Sequence, residues 1–303
     1  MSFLLFLLAP LVGEYVLGNV PVSELPALVV LAPMYGGGAV LVREVARRTG
    51  RGWPAILVLG LAYGVLEAGL LDQSLFNPSF EGHDFQAVTP VPALGISAVN
   101  SLAFVVGHAV WSIGVPIALV ETVAWRRRTG PWPGRAGLVG YALVFVAGSL
   151  LVHRFLLRQE GFLASPAQRV GAAAVVVALV AVALLPRPRP RVERPVPRPW
   201  VVGVGAFLVS SLFVSVPEDW AGFALKLGWP ATAAAAGLWW GRGTRWGAAH
   251  RFAAAAGALV TCTWMSWILV EKAPAPLLAH AVLVVLTWAS LFAVRRFAVR
   301  GGS

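Results

Sequence analysis

Apolar residues in this chain fall in long blocks. They show neither the strict alternation of a half-buried strand nor the single apolar stripe of a surface helix. A helix that crosses a bilayer needs about 20 mainly apolar residues at about 1.5 Å each. Ten blocks meet that length, at residues 2–20, 25–43, 53–74, 96–123, 136–154, 168–185, 200–216, 220–240, 252–271 and 276–295. The pattern predicts an all-α, polytopic transmembrane helix bundle of about ten spans. Glu14 lies inside the first block, and only the turn 217–219 parts the seventh from the eighth.

The polar positions between the blocks alternate in charge. Basic clusters follow the second block (Arg43, Arg47, Arg48, Arg51), the fourth (Arg126, Arg127, Arg128, Arg135), the sixth (Arg187, Arg189, Arg191, Arg194, Arg198), the eighth (Arg242, Arg245, Arg251) and the tenth (Arg295, Arg296, Arg300). These hold 19 of the 24 basic residues. Cytoplasmic connections carry the excess of Lys and Arg, so this side is expected to be the cytoplasm, with both termini inside. The segment 186–199, PRPRPRVERPVPRP, cannot continue a helix and reads as a basic, proline-rich cytoplasmic linker. It divides the chain into a six-span part, 1–185, and a four-span part, 200–303.

Composition agrees with lipid as the solvent. The 303 residues are 58% apolar and 12% charged, against about 25% charged in soluble domains. The net charge of +11 does not point to nucleic acid, because the arginines sit between apolar blocks and make no continuous basic face. They are expected to lie beside anionic lipid. Cys262 is the single cysteine, which rules out an intrachain disulfide and a cysteine metal cluster. No cofactor or metal is expected. Arginine outnumbers lysine 22 to 2, a bias of GC-rich bacterial genomes, so the expected location is a bacterial cytoplasmic (inner) membrane. The first block lacks a basic n-region and a small-x-small cleavage site and reads as a retained span.

Ionisable side chains inside spans cost at least about 2.5–3.5 kcal/mol at the bilayer centre and are functional candidates by default. The chain offers Glu14, Glu67, His108 and Glu121, with Lys226 and His280 nearer the span ends. If the third span ends near Asp72, Glu67 lies about 7 Å below the outer surface; if it runs on through Phe76, about 14 Å. His108 lies about 15–20 Å down the fourth span, so the longer ending would let the two meet. With Glu14 and Asn100 they would form a polar cluster in the outer half of the bilayer. A carboxylate beside an imidazole can hold and share a proton, which suits general-base work on water, a proton relay, or a plain helix-to-helix tie. Glu121, beside Arg126–Arg128, reads as structural, and Lys226 can snorkel to the outer interface. Gly36–Gly38 after Pro33 permit close helix approach or a break in the second span.

The outer loop 73–92 contains LFNPSFEGHDFQ, which is apolar and aromatic for a water-exposed loop. It is expected to fold back as a lid. Glu81, His83 and Asp84 are hard-ligand types, but no spacing rule makes them a metal site.

At Glu67 and His108 the chain resembles the CAAX-protease and bacteriocin-processing superfamily of intramembrane proteases. Those proteins carry E-E-x-x-x-R on one span, F-x-x-x-H on the next, and a later H-x-x-x-N. Phe104-Val-Val-Gly-His108 matches the second motif, and Glu67 matches the leading glutamate of the first, whose other positions are Ala68 and Asp72 here. His153, His250 and His280 are followed at the fourth position by Leu157, Ala254 and Val284, so the third motif has no match. The resemblance covers about residues 55–150. It implies that Glu67, helped by His108, activates water for cleavage of a peptide bond at the membrane. Beside this stand two other readings, a small-molecule or ion/proton transporter and a non-catalytic membrane assembly partner. The expected partners are the bilayer and a peptide or lipid-soluble substrate.

Overall fold

The computed structural model describes residues 1–185, 190–270 and 272–300. Ten helical segments follow one another among the described residues. They are α1 (Ser2–Val16), α2 (Val22–Arg48), α3 (Trp53–Leu71), α4 (Ala98–Val123), α5 (Arg135–Glu160), α6 (Pro166–Leu184), α7 (Pro199–Ser215), α8 (Trp220–Gly241), α9 (Ala248–Leu269) and α10 (Pro274–Arg300). Each falls on one of the ten apolar blocks. Seven of them, α2 to α6 with α9 and α10, are long and apolar enough to cross a membrane. The apolar helices α1 and α7 are shorter, and α8, whose apolar residues are mostly alanine and glycine, is not among the seven. The expected linker lies partly at 186–189, outside the described residues, and so does the end of the C-terminal tail, 301–303.

Local chemistry sets the helix boundaries. Proline stands in the first turn of α3, α6 and α7, where its missing N–H costs nothing. Ser165 and Gln168 form a reciprocal capping box on α6. Gly161 ends α5 at φ +63°, a left-handed turn that a side chain would strain.

The central helix is α4, with 61% of its apolar window buried, against 11% for α6. One core joins α1 to α6 around Leu5, Tyr35, Ile56, Tyr63 and Ile117. A second joins Val12 of α1 and Trp111 and Val115 of α4 to Phe213, Phe252, Ala258 and Leu291 of α7, α9 and α10. Thus α1 and α4 form a common wall on which the two parts of the chain meet. Apolar side chains of α5, such as Val139, Leu143 and Phe155, remain exposed, as lipid-facing residues do.

At one end of the bundle sits a charge network that corrects the sequence reading. Arg43 was expected in a hydrated connection, but it lies within α2 and is 0% exposed. It pairs with Glu44, reaches Glu121 Oε1 at 3.2 Å, and donates to the carbonyls of Arg128 (2.7 Å) and Gly130 (2.9 Å). Its guanidinium lies 3.5 Å from the centre of the Trp132 ring. Arg47 holds Glu121 through Nε and Nη2 at 2.8 and 2.6 Å. The physical reason is that α2 continues past its apolar block, carrying these charges into the space between α4 and the 125–134 connection.

Candidate functional site

Four helices depart from regular α geometry where they face one another. Wide, π-type turns occupy Leu11–Val16 in α1, Ala32–Gly36 in α2, Glu67–Leu71 in α3 and His108–Gly114 in α4. Each carries one polar residue of a single cluster: Glu14, Tyr35, Glu67 and His108. A π-type turn adds a residue to the turn, which re-aims the side chains around it, and such turns recur at functional sites. In α3 the bond from Asp72 N–H to the Glu67 carbonyl (3.0 Å) spans five residues, the mark of this widening.

Glu67 Oε2 lies 2.9 Å from His108 Nε2, although the contact is not aligned for a good hydrogen bond. Tyr35 donates its hydroxyl to Glu67 Oε1 at 3.1 Å and stands 3.4 Å from His108 Nε2. His108 Nδ1 is 2.7 Å from the Phe104 carbonyl. A carbonyl only accepts, so Nδ1 carries a hydrogen, and Nε2 is the nitrogen left to exchange a proton with the glutamate. Tyr35 and Tyr63 flank the imidazole at ring distances of 5.9 and 6.1 Å.

The pair meets because α3 and α4 can approach closely. A Cβ on Gly64 would sit 2.7 Å from the Val105 carbonyl oxygen, and one on Gly60 would sit 3.1 Å from Ala109 Cα. These glycines, four residues apart, remove the bulk that would part the helices. Gly64→Leu is therefore expected to destabilise the protein by about 1–3 kcal/mol and to separate Glu67 from His108. A lowered melting temperature in detergent checks the first effect. An unchanged melting temperature would contradict this packing.

Beside the pair lies a cavity of about 230 Å³, lined among others by Glu14, His108, Phe104, Trp111, Phe213 and Lys226. Glu67 is not among its lining residues and stands behind the imidazole. Lys226 does not snorkel to the interface as the sequence suggested. It is 5% exposed, with Nζ 5.7 Å from the centre of the Phe213 ring, because α8 packs against the N-terminal half of α4. Asn100 is not brought to the cavity. It sits in the first turn of α4, two turns before His108, and donates to the Phe85 carbonyl at 2.8 Å. His280 is packed, 2% exposed, with Nε2 2.8 Å from Ser266 Oγ.

Helix α3 ends at Leu71, the shorter of the two endings weighed, yet the pair still meets. The end of α3 is not the protein surface. The chain turns there and folds over it, burying Leu75, Phe76, Asn77 and Phe80. Asn77 Nδ2 and the Glu81 N–H both donate to Glu160 Oε2 at 3.1 Å, and Gln73 Oε1 accepts from the Ala164 N–H at 2.6 Å. A two-stranded hairpin, Pro90–Val91 with Ile96–Ser97, returns the chain to α4. Phe85 meets the cavity-lining Phe104 edge-on at 5.3 Å, so the loop covers that end of the site. Asp84 caps the short turn at Ala87, and partial burial beside Glu160 holds the Glu81 carboxyl above its ordinary range. Among the described residues no group of three or more His, Cys, Asp or Glu is arranged to hold a metal ion.

Tyr35 is the cluster residue that sequence reasoning missed, while Lys226 was named among the ionisable residues but expected to point to the interface. Pro33 with Gly36–Gly38 marked the local break beside Tyr35, and a lysine inside an apolar block was itself the signal for Lys226.

Fold and site define the class: a polytopic α-helical membrane protein with a carboxylate–histidine–tyrosine cluster buried among its helices. Over residues 3–301 the chain matches the model of a family described as an uncharacterized membrane protein family, and it belongs to that family. No curated protein and no solved structure matches it.

Proposed function

We propose that the protein is a hydrolase acting within the membrane, in the manner of the CAAX-protease superfamily it resembles. In this reading it has ten spans in a bacterial inner membrane, with both termini in the cytoplasm. The observation that carries the reading is the 2.9 Å contact of Glu67 with a histidine that faces a cavity. The roles differ from those the resemblance implies. His108 touches the cavity and Glu67 stands behind it. Because Nδ1 is held by the Phe104 carbonyl, the proton acceptor is Nε2 together with Glu67 Oε2. Their contact is not aligned as a hydrogen bond and leaves both able to take a proton from water.

Water in the cavity gives its proton to the His108–Glu67 pair as its oxygen bonds to a carbonyl carbon. The tetrahedral intermediate then collapses, its C–N bond breaks, and the pair returns the proton to the leaving nitrogen. The Lys226 ammonium, lining the same cavity with Asn19 and Ser112, is the charged group available to stabilise the oxyanion where the third family motif has no match. The cavity itself argues against a purely structural tie. A transport reading would be favoured by a path from the cluster to Glu121, but both oxygens of that residue are held by Arg43 and Arg47. Glu121 lines a different space, and the Trp111 N–H bond to the Ala258 carbonyl (2.9 Å) joins a residue of one space to a residue of the other.

The test uses the protein in liposomes holding a quenched fluorescent transmembrane peptide. Cleavage is expected, with loss in Glu67→Gln and retention in His83→Ala, which removes a loop histidine that stacks on Phe85 but lines neither space. Proton or solute flux without cleavage, lost in the same variant, would replace hydrolysis by transport.

A further inference from the structure

A second, larger space lies between the two parts of the chain and touches neither Glu67 nor His108. Its volume is about 1330 Å³, beyond the roughly 300–1,000 Å³ of ordinary small-molecule pockets. Val58 and Ala118 of α3 and α4 form one wall, and Val209, Ala233 and Ala258 of α7, α8 and α9 form the other. The charged lining is one-sided: six arginines (Arg47, Arg51, Arg128, Arg191, Arg242 and Arg251) against the single carboxylate Glu121. Arg251 lies within electrostatic reach of Arg47, Arg128 and Arg191, so these charges gather at one end of the cleft. Glu121 is already committed to Arg43 and Arg47. Three lining donors, Arg51 Nε, Trp53 Nε1 and Arg242 Nε, are buried without an acceptor among the described residues.

We infer that this cleft binds an anionic phospholipid, its phosphate among the arginines and its acyl chains along the apolar walls. A long apolar space with a cationic rim between helices is complementary to that one class of molecule, and basic pockets between membrane helices take such headgroups. Bound there, the lipid fills the gap between the two parts of the chain and fastens them together. The proposal is independent of the hydrolase reading, since its site and its readout are separate.

The experiment measures thermal stability and lipid retention of the delipidated full chain in detergent. It is titrated with dioleoyl phosphatidylglycerol, with dioleoyl phosphatidylcholine, or with inorganic phosphate. Phosphatidylglycerol is expected to raise the melting temperature saturably, and the other two are not. The triple variant Arg191→Gln, Arg242→Gln, Arg251→Gln is expected to bind phosphatidylglycerol roughly a hundredfold more weakly. Ala233→Trp, which fills the apolar wall and keeps every arginine, is expected to weaken it as well, and it serves if the triple variant does not fold. Equal stabilisation by phosphatidylcholine would overturn the charge argument. A full effect from phosphate alone would make this a free-anion site, and unchanged affinity in Ala233→Trp would remove the acyl chains from the cleft. Any of these outcomes overturns the proposal.

Discussion

Arg43→Met is expected to lose most of the folded protein, through destabilisation of about 3–5 kcal/mol. The guanidinium is fully buried and serves four groups at once: Glu44, Glu121 and the carbonyls of Arg128 and Gly130. Methionine of similar volume would leave two carboxylates and two carbonyls facing an apolar side chain. Arg47 still neutralises Glu121, and Arg48 still reaches Glu44 at 3.0 Å, which limits the damage. Arg48 also holds the Pro133 carbonyl and Glu44 the Trp132 N–H, so the 125–134 connection should loosen first around Arg128 and Gly130, whose carbonyls Arg43 reaches. Arg43→Lys restores the charge but not the planar fork that reaches carboxylates and carbonyls together and lies flat on Trp132, so an intermediate loss is expected. Melting of detergent-solubilised protein, followed by size-exclusion chromatography, reads both variants. A melting temperature for Arg43→Met equal to that of the parent would show that this network does not anchor the end of the bundle.

The same arginine shows where sequence reading stops. All ten helical segments were legible, because block length and hydropathy do not depend on which face of a helix points where. The meeting of Glu67 with His108 was legible only in part: it was expected on condition that the third span ran on through Phe76, and the pair meets although that helix ends at Leu71. What a helix faces is a different matter. Arg43 and Arg51 look alike in the sequence, yet one is buried in an ion-pair network and the other reaches the Leu184 carbonyl at the mouth of the cleft. Lys226 looked like a snorkelling residue because its distance along the helix from the interface is short. Its direction, set by the packing of α8 on α4, turns it inward instead. The π-type turns compound this difficulty. Each shifts the rotation of all residues beyond it, so a regular helical projection of α2 does not put Tyr35 toward Glu67. The depth estimate for Glu67 failed in another way, by taking the end of α3 as the surface when Leu75 and Phe76 bury themselves beyond it.

Rotation of these side chains into one cluster also fixes the pattern of losses expected at the site. His108→Ala removes the group that faces the cavity and should lower cleavage by about 10²–10⁴. Glu67→Gln keeps the volume and can still accept from Tyr35, but it cannot hold the shared proton, so a loss of the same order is expected. The two act as one unit, and the double variant should be no slower than the worse single variant. Tyr35→Phe leaves Glu67 Oε1 without its 3.1 Å donor while sparing the acid and the imidazole. One orphaned buried acceptor costs about 1–3 kcal/mol, so roughly 10- to 100-fold less activity is expected if that loss falls on the active arrangement. The order His108→Ala and Glu67→Gln well below Tyr35→Phe, with His83→Ala at the parent level, is specific to a supported imidazole. Losses that multiply in the Glu67/His108 double variant would mean the two residues act separately. A Glu14→Gln loss deeper than that of His108→Ala would move the base to Glu14, the carboxylate that does line the cavity. Initial cleavage rates in liposomes, normalised to correctly folded protein, distinguish these cases, because a variant that merely unfolds lowers the amount of enzyme and leaves the rate per folded molecule unchanged.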